Sequence, residues 1–364
     1  MDVQGRNSNI DIQSMDEILL SLDAVSSDLT QVLFEDIIPI WSTIGFNHVT
    51  GGFNESIDSE GTVPECMRRI RVSARQVYVF CEASRLGWNR LAATTCLRHG
   101  RDFLFLHSNA EGLIHHNLSS DGRHTATGHD LYDQAFLLFA YANVFAHMKQ
   151  DADLQRGRDL LAAIRRNFTH GRGGFIDHTE KPFPLRSNPH MHLLEAALAW
   201  IAIDDDPRWR ILADEIVLLF QQHFFDEASG VVREYFTADW SPIRDDGQCR
   251  IEPGHNYEWA WLLMRWEKLT GGHAGDCADR MINFAETYGY DPVRHVAINE
   301  LWTDGRPCDR TARLWPQTER LKAWLAVAEA SHGLERRQAE LRALDAANGL
   351  LATWRQACRG SGMI

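Results

Sequence analysis

Three short stretches bring histidines, carboxylates and tryptophans together at helical spacing. In residues 251–265, IEPGHNYEWAWLLMR, His255 and Glu258 stand three apart just after a turn set by Pro253 and Gly254. That spacing puts both on one face of a helix that continues through Trp259, Trp261, Leu262 and Leu263. A carboxylate one turn from an imidazole orients the ring and raises its basicity, which suits a general base working near neutral pH. A single such pair is more often a satisfied buried histidine. Here the EPGH turn and the apolar WAWLL run place the polar pair at the inner end of a buried helix, which favours function. NPHMHLLEAALAW repeats the arrangement with His192 and Glu195, preceded by Asn188 and by His190, which reads as structural. LWPQTERLKAW supplies Trp315, Gln317, Glu319 and Lys322 at a third helix start. Three polar clusters at the mouths of apolar helices imply one shared pocket.

Two further stretches face that pocket. RRIRVSARQVYVF carries Arg71, Arg75 and Gln76 on an otherwise apolar helix, and a core-facing arginine must find an anion or a set of oxygens. A sugar oxygen or an enediolate would serve, and a plain salt bridge to Glu82 or Glu319 is the competing reading. HDLYDQAFLLFAYA puts Tyr132 and Asp133 before an apolar stripe, with Asp130 as an N-cap. His192 and Glu195 also have a spacing that suits zinc or manganese. The HExxH order and cysteine ligands are absent, so the expectation is no metal.

The elements that position these residues are helices. Apolar residues recur at helical spacing over 15–46, 67–85, 90–106, 130–148, 153–167 and 190–203. The pattern continues over 209–221, 255–269, 274–287, 316–330 and 334–351. Between them a glycine followed by a short strand-like tract recurs: GGFNESI, EGLIHHNL, GGFIDH, SGVVREYF, the weaker RHVAINELW and finally NGLLATW at Gly349. The spacing of roughly 55 to 65 residues marks a repeat architecture of hairpin plus helix pair. Closing six such pairs into a ring predicts a cup with its hairpins at one rim. An open helical solenoid used as a binding scaffold is the alternative. No linker divides the chain, so residues 1–364 read as a single domain, with 1–14 expected to be a disordered tail. Too little chain follows Gly349 to complete a sixth hairpin, so the sixth repeat reads as truncated.

Composition narrows the partners. A net charge of -13 without a basic run argues against nucleic acid or an anionic membrane. Twelve tryptophans and 17 histidines suit sugar stacking and proton transfer, although most of the indoles must be packing. Seven scattered cysteines without a CxxC pair read as reduced thiols of a cytoplasmic protein. The N-terminus has no signal-peptide pattern, and no apolar run approaches membrane-spanning length. Nothing fixes the oligomeric state, and a homodimer is compatible with the chain.

Together, ARQVYVF, LYDQAF, NPHMHLLEA, EPGHNYEWAWLL and LWPQTERLKAW resemble the N-acylglucosamine 2-epimerase family, which includes mannose isomerase and cellobiose 2-epimerase. The resemblance covers residues 52–324 and implies an all-α (α/α)6 barrel with β-hairpin loops at one rim. It also implies proton removal beside a sugar carbonyl and return through an enediolate, with no metal, nucleotide or other cofactor; no P-loop is present. By that resemblance Arg75 contacts substrate oxygens, His192 is a pocket histidine and His255 an acid/base. Glu195, Glu258 and Glu319 line or support the pocket, and Tyr132, Asn188 and Trp315 are its sugar-facing neighbours. The family's second acid/base histidine, near the C-terminus, has no counterpart here, since His332 sits in an unmatched SHGLE context. The expected function is an aldose–ketose isomerase of the mannose/fructose type, with His255 as base. Alternatives are a sugar 2-epimerase, an (α/α)6 glycoside hydrolase using Asp133 and Glu258, and a catalytically impaired sugar-binding protein. Arg68, Arg69 and Arg244 are rim candidates for a phosphosugar.

Overall fold

The computed structural model describes residues 15–125 and 127–360, so the expected 1–14 tail lies outside the described residues. Helices dominate. The first segment comprises α1 (Met15–Gln31), a π-helical turn over Val32–Ile37 and α2 (Ile38–Ser42), where one continuous helix was expected. Then come α3 (Ile70–Arg85), α4 (Arg90–Leu106), α5 (Leu131–Met148), α6 (Asp151–Phe168), α7 (Ser187–Ile201) and α8 (Pro207–Leu219). The chain continues with α9 (Pro253–Thr270), α10 (Cys277–Tyr288), α11 (Leu314–Ala330) and α12 (Gly333–Gly360).

Helices α3, α5, α7, α9 and α11 pack side by side in that order, and each is backed by the helix that follows it. Sequence explains the two layers. Helix α5 buries Leu131, Phe136, Leu138, Tyr141 and Val144 all around its surface, as a helix enclosed on every side must. Helix α6 buries one stripe, including Leu160, Leu161, Ile164 and Phe168, and gives its other face to water. Close approach uses glycine: a Cβ on Gly157 would stand 2.1 Å from Cζ2 of Trp200. At the other end of the ring α1 packs on α12, and the segment that follows it meets α4 and the turn before it. There Trp88 Nε1 donates to the Phe34 carbonyl, and Cys96 lies against the Ser42 carbonyl.

One device repeats at the start of every inner helix. The fourth residue of each helix reaches back to the backbone of its own hairpin. Phe53 N–H donates to Ser73 Oγ (3.0 Å), Ile114 N–H to Gln134 Oε1 (3.0 Å) and Phe175 N–H to His190 Nε2 (3.1 Å). Val232 N–H donates to Asn256 Oδ1 (3.1 Å), and Ala297 N–H to Gln317 Oε1 (2.7 Å). Gln134 and Gln317 return a bond from Nε2 to the same residue's carbonyl, at 2.9 Å each. These side chains satisfy buried backbone groups that no ladder partner reaches. His190 is thereby structural, as expected.

The hairpins also pair with one another. Arg68 is in register with Leu118, Leu185 with Phe236, and Ile251 with Leu301, all antiparallel, while Asp130 bridges His178. The strand entering one inner helix therefore pairs with the next unit's hairpin, joining successive hairpins edge to edge above the helix mouths. The expectation for Gly349 is corrected, because NGLLATW lies inside α12 and not on a hairpin strand. A short apolar run is ambiguous between strand and buried helix. Here Ala347 and Leu351 pack on Val25 of α1, and Gly349 lets the helix pass the His295 carbonyl, which a Cβ would approach to 2.4 Å.

Candidate functional site

Because five equivalent helices start at one rim, residues at equal positions form layers. The second, sixth and ninth residues of a helix share one face. In α3, α5, α7, α9 and α11 the second residues are Arg71, Tyr132, Asn188, Gly254 and Trp315. The sixth are Arg75, Phe136, His192, Glu258 and Glu319, and the ninth are Tyr78, Phe139, Glu195, Trp261 and Lys322. All nine expected site residues belong to these layers or sit beside them, so the structure brings the full set together.

Contacts run around each layer. At the mouth the Arg71 guanidinium lies 5.1 Å from the Tyr132 ring centre, and His255 faces Trp315 at 5.0 Å between ring centres. Below it Arg75 lies 4.7 Å from the Phe136 ring, Phe136 is 4.5 Å from His192, and His192 Nδ1 is 3.6 Å from Glu258 Oε1. At the third level the Tyr78 ring lies 4.8 Å from that of Phe139, tilted by 48°, and Lys322 lies over Trp261 at 4.0 Å. His192 Nδ1 is 3.2 Å from Glu195 Oε2, as the spacing predicted.

The expected His255–Glu258 partnership is corrected. The spacing is that of His192 and Glu195, but here a buried carboxylate from the hairpin competes for the imidazole. Glu258 enters the ring beside His192, while His255 turns toward the hairpin. There its Nδ1 donates to Glu234 Oε1 at 3.0 Å, with Glu252 at 4.0 Å. Both members of the His255–Glu234 pair are buried. On the other side of the ring Nε2 lies 3.1 Å from Asn188 Nδ2. Asn188 Oδ1 is buried without a hydrogen-bond partner among the described residues. Turning that amide over would set the oxygen against Nε2–H of a doubly protonated His255.

Electrostatics separates the two histidines. Burial works to lower His255, but the field and hydrogen bond of Glu234, helped by Glu252 and Glu258, raise it to about 10. His192 is lowered, chiefly by burial and despite Glu195, so it stays neutral. Burial also drives Glu258 well above the usual carboxylate range, reinforced by Glu319 and Glu195. Burial pushes Glu195 the same way, but the His192 hydrogen bond and the Lys322 charge overcome it and hold it low.

Arg75 forms neither competing salt bridge. Glu82 is taken by Arg85, and Glu319 accepts from Lys322 at 2.7 Å and from Trp261 Nε1 at 2.9 Å. Arg75 is instead exposed in the basin over the Phe136 ring, and among the described residues no carboxylate forms an ion pair with it. Asp133, expected as a hydrolytic carboxylate, is fully buried and held by Arg71 (2.7 Å) and His116 Nδ1 (2.6 Å). His332 is exposed at the α11–α12 turn, at the far end of α11 from the mouth. Sequence reasoning missed Glu234, Phe136 and Trp261 as site residues. The repeat register would have found Phe136 and Trp261, and Glu234 lies in the quoted SGVVREYF tract. Among the described residues, the donor atoms of His192, Glu195 and Glu258 lie within 4.8 Å of one another and form a group that could hold a metal.

Comparison with known proteins finds relatives over most of the chain. The family described as N-acylglucosamine 2-epimerase (GlcNAc 2-epimerase) matches residues 51–357. A "Mannose-6-phosphate isomerase" of Rhizobium meliloti (strain 1021) is 38% identical over 319 residues, 85% of this chain and 82% of that one. A "D-mannose isomerase" of Marinomonas mediterranea is 24% identical over 298 residues, 76% and 74% of the two chains. Among solved structures, cellobiose 2-epimerase from Bacillus thermoamylovorans B4167 superposes with a TM-score of 0.78 at 18% identity, covering 89% of this chain and 87% of that one.

Proposed function

The chain belongs to the N-acylglucosamine 2-epimerase family, and from that premise we propose that it is an aldose–ketose isomerase of the mannose/fructose type. The observation that carries the mechanism is the pair of pocket histidines on separate carboxylates, His192 on Glu195 and His255 on Glu234, with burial keeping the first neutral and Glu234 charging the second.

Isomerisation needs a base at the C2 hydrogen and an acid at the carbonyl oxygen. His192, neutral and with Nδ1–H turned to Glu195, keeps Nε2 as the base. His255, charged at neutral pH through Glu234, is the acid, which exchanges the role expected for it from the sequence. Arg75 stabilises the oxyanion of the enediolate, and Tyr132 and Trp315 present ring faces to the sugar. Glu258, Glu319 and Asn188 hydrogen-bond sugar hydroxyls.

Epimerisation at C2 shares the first proton transfer and differs only in where the proton returns, so it is the second reading; the family description and the cellobiose 2-epimerase likeness favour it. Glycoside hydrolysis through Asp133 is disfavoured, because both of its oxygens are occupied. The rim arginines speak for an unphosphorylated sugar. Arg68 is spent on Thr50 and the Gly51 carbonyl, Arg69 on Glu55, and exposed Arg244 on the Gly247 carbonyl. We read the fold as one (α/α)6 barrel and the protein as cytoplasmic, in line with its thiols, of which the six described are free. No described helix is long and apolar enough to cross a membrane.

Proton NMR in deuterated water with mannose, fructose, glucose, N-acetylmannosamine and mannose 6-phosphate tests this. Mannose–fructose interconversion with deuterium entering at C2 is expected. Deuterium entry with a C2 epimer as the product would establish the epimerase instead. Binding without exchange would leave a sugar-binding protein, and preferential turnover of the phosphate would overturn the neutral-sugar reading.

A further inference from the structure

Lys322 is the charged side chain that the roles above leave unused. It stands on α11 one turn beyond Glu319, with Nζ 2.7 Å from Glu319 Oε2 and 4.0 Å from the centre of the Trp261 ring. Trp261 Nε1 donates to the same carboxylate oxygen at 2.9 Å, so Glu319 is oriented from two sides. Helix α7 brings Glu195 and His192 toward this point, and α9 brings Glu258 and Arg265. Helix α3 brings Arg75 and Tyr78. Three carboxylates thus converge from three helices.

An ordinary exposed i,i+3 Lys–Glu pair holds nothing in place and is worth little. Lys322 differs in that its partner Glu319 is buried, that Glu195 shares its layer and that Glu258 lies in the layer next to it. Burial works to lower its ammonium, and the fields of Glu319, Glu195 and Glu258 overcome that and hold it above its ordinary value. One histidine and two carboxylates with donor atoms within 4.8 Å of one another is also a donor set that takes a divalent cation. Such a cluster needs positive charge at its centre, and the chain provides it on a side chain.

We propose that the Lys322 ammonium is the resident cation of this carboxylate cluster and positions Glu319, Glu195 and Glu258 for the sugar, the service a divalent metal performs in a site of this donor set. The proposal rests on the isomerase reading of the site. It makes Lys322 a positioning residue, and it makes turnover independent of added metal.

The test uses the full chain dialysed against a chelator, with Lys322→Met and Lys322→Arg beside the wild type. The wild type is expected to keep its turnover after chelation. Lys322→Met should lose about 100-fold in kcat/KM, the scale of a misplaced reacting group, and Lys322→Arg should recover most of it. Calorimetric titration with manganese(II) should show one equivalent bound by Lys322→Met and none by the wild type at the same concentration. A folded Lys322→Met with wild-type kcat/KM, or with manganese binding no tighter than the wild type's, overturns the proposal. So does loss of wild-type activity on chelation. If Lys322→Met does not fold, Lys322→Arg decides: activity within about tenfold of wild type supports the assignment, and a 100-fold loss refutes it. If the wild type turns over no sugar, the isomerase reading falls separately and the manganese titration still decides the role of Lys322.

Discussion

A histidine backed by a buried carboxylate ties catalysis and stability to pH in a definite direction. His255 is raised from 6.5 to about 10, so the folded protein holds its proton more tightly than the unfolded chain does. The stability this adds is complete below about pH 6.5 and is lost as pH rises through about 10. Thermal denaturation of the wild type and His255→Asn, followed from about pH 7 to pH 10, should therefore show a gap that narrows with rising pH. A constant or widening gap would refute the assignment. Removing the carboxylate acts on chemistry: Glu234→Gln should lower kcat on the order of 100-fold and move the alkaline limb of the rate profile to lower pH. Unchanged limbs would mean that another group protonates the sugar. At this scale the sequence was half legible. The His192–Glu195 pair followed from spacing along one helix. Glu234 did not, because it reaches His255 from a hairpin 21 residues earlier, where only the folded chain brings them together.

Glycines next to aromatic rings set the geometry at the scale of elements. Helix α9 opens Pro253–Gly254, and a Cβ on Gly254 would stand 2.5 Å from Cη2 of Trp315 and 3.1 Å from Cβ of Pro316. Trp315 in turn faces His255. Gly254→Ala should therefore cost about 1–3 kcal/mol and displace the indole from the sugar-facing layer, raising KM more than it lowers kcat. Chemical denaturation and steady-state kinetics check both halves, and a variant as stable and active as wild type would mean that the ring yields freely. Helix positions were readable from periodicity to within a few residues, apart from the end of α12 at Gly360 where 351 was expected, because buried stripes and caps such as Asp130, which accepts from Tyr132 N–H, are local signals. The π-helical turn at Val32–Ile37 was not readable, since no proline or glycine inside it marks the break. Nor was the helical state of NGLLATW, which packing on α1 decides.

Across the whole molecule, the last units are tied by a buried charge network. Arg320, almost fully buried, donates to Glu286 at 2.6 Å and to Asp345 at 2.9 Å, while Glu286 also accepts from Tyr257 and Trp324. Helices α9, α10, α11 and α12 meet there. Arg320→Met leaves two carboxylates without their cation and should destabilise by about 3–5 kcal/mol, visible as a lowered melting temperature. A variant melting with the wild type would show the network to be redundant. The side-by-side packing of successive helix pairs was legible because repeats at regular spacing must stack on their neighbours, whereas this network joins residues far apart in sequence and left no periodic trace. The clasps between inner helices and hairpins carry a different implication. Ser73, Gln134, His190, Asn256 and Gln317 do the same job with four kinds of side chain, each anchoring a hairpin of its own unit. A hairpin and its anchor are thus inherited together, so recombination between relatives within the outer helices would exchange a complete segment of the cup's lip. New sugar preferences can then arise by shuffling units, with the wall of the vessel left as it is.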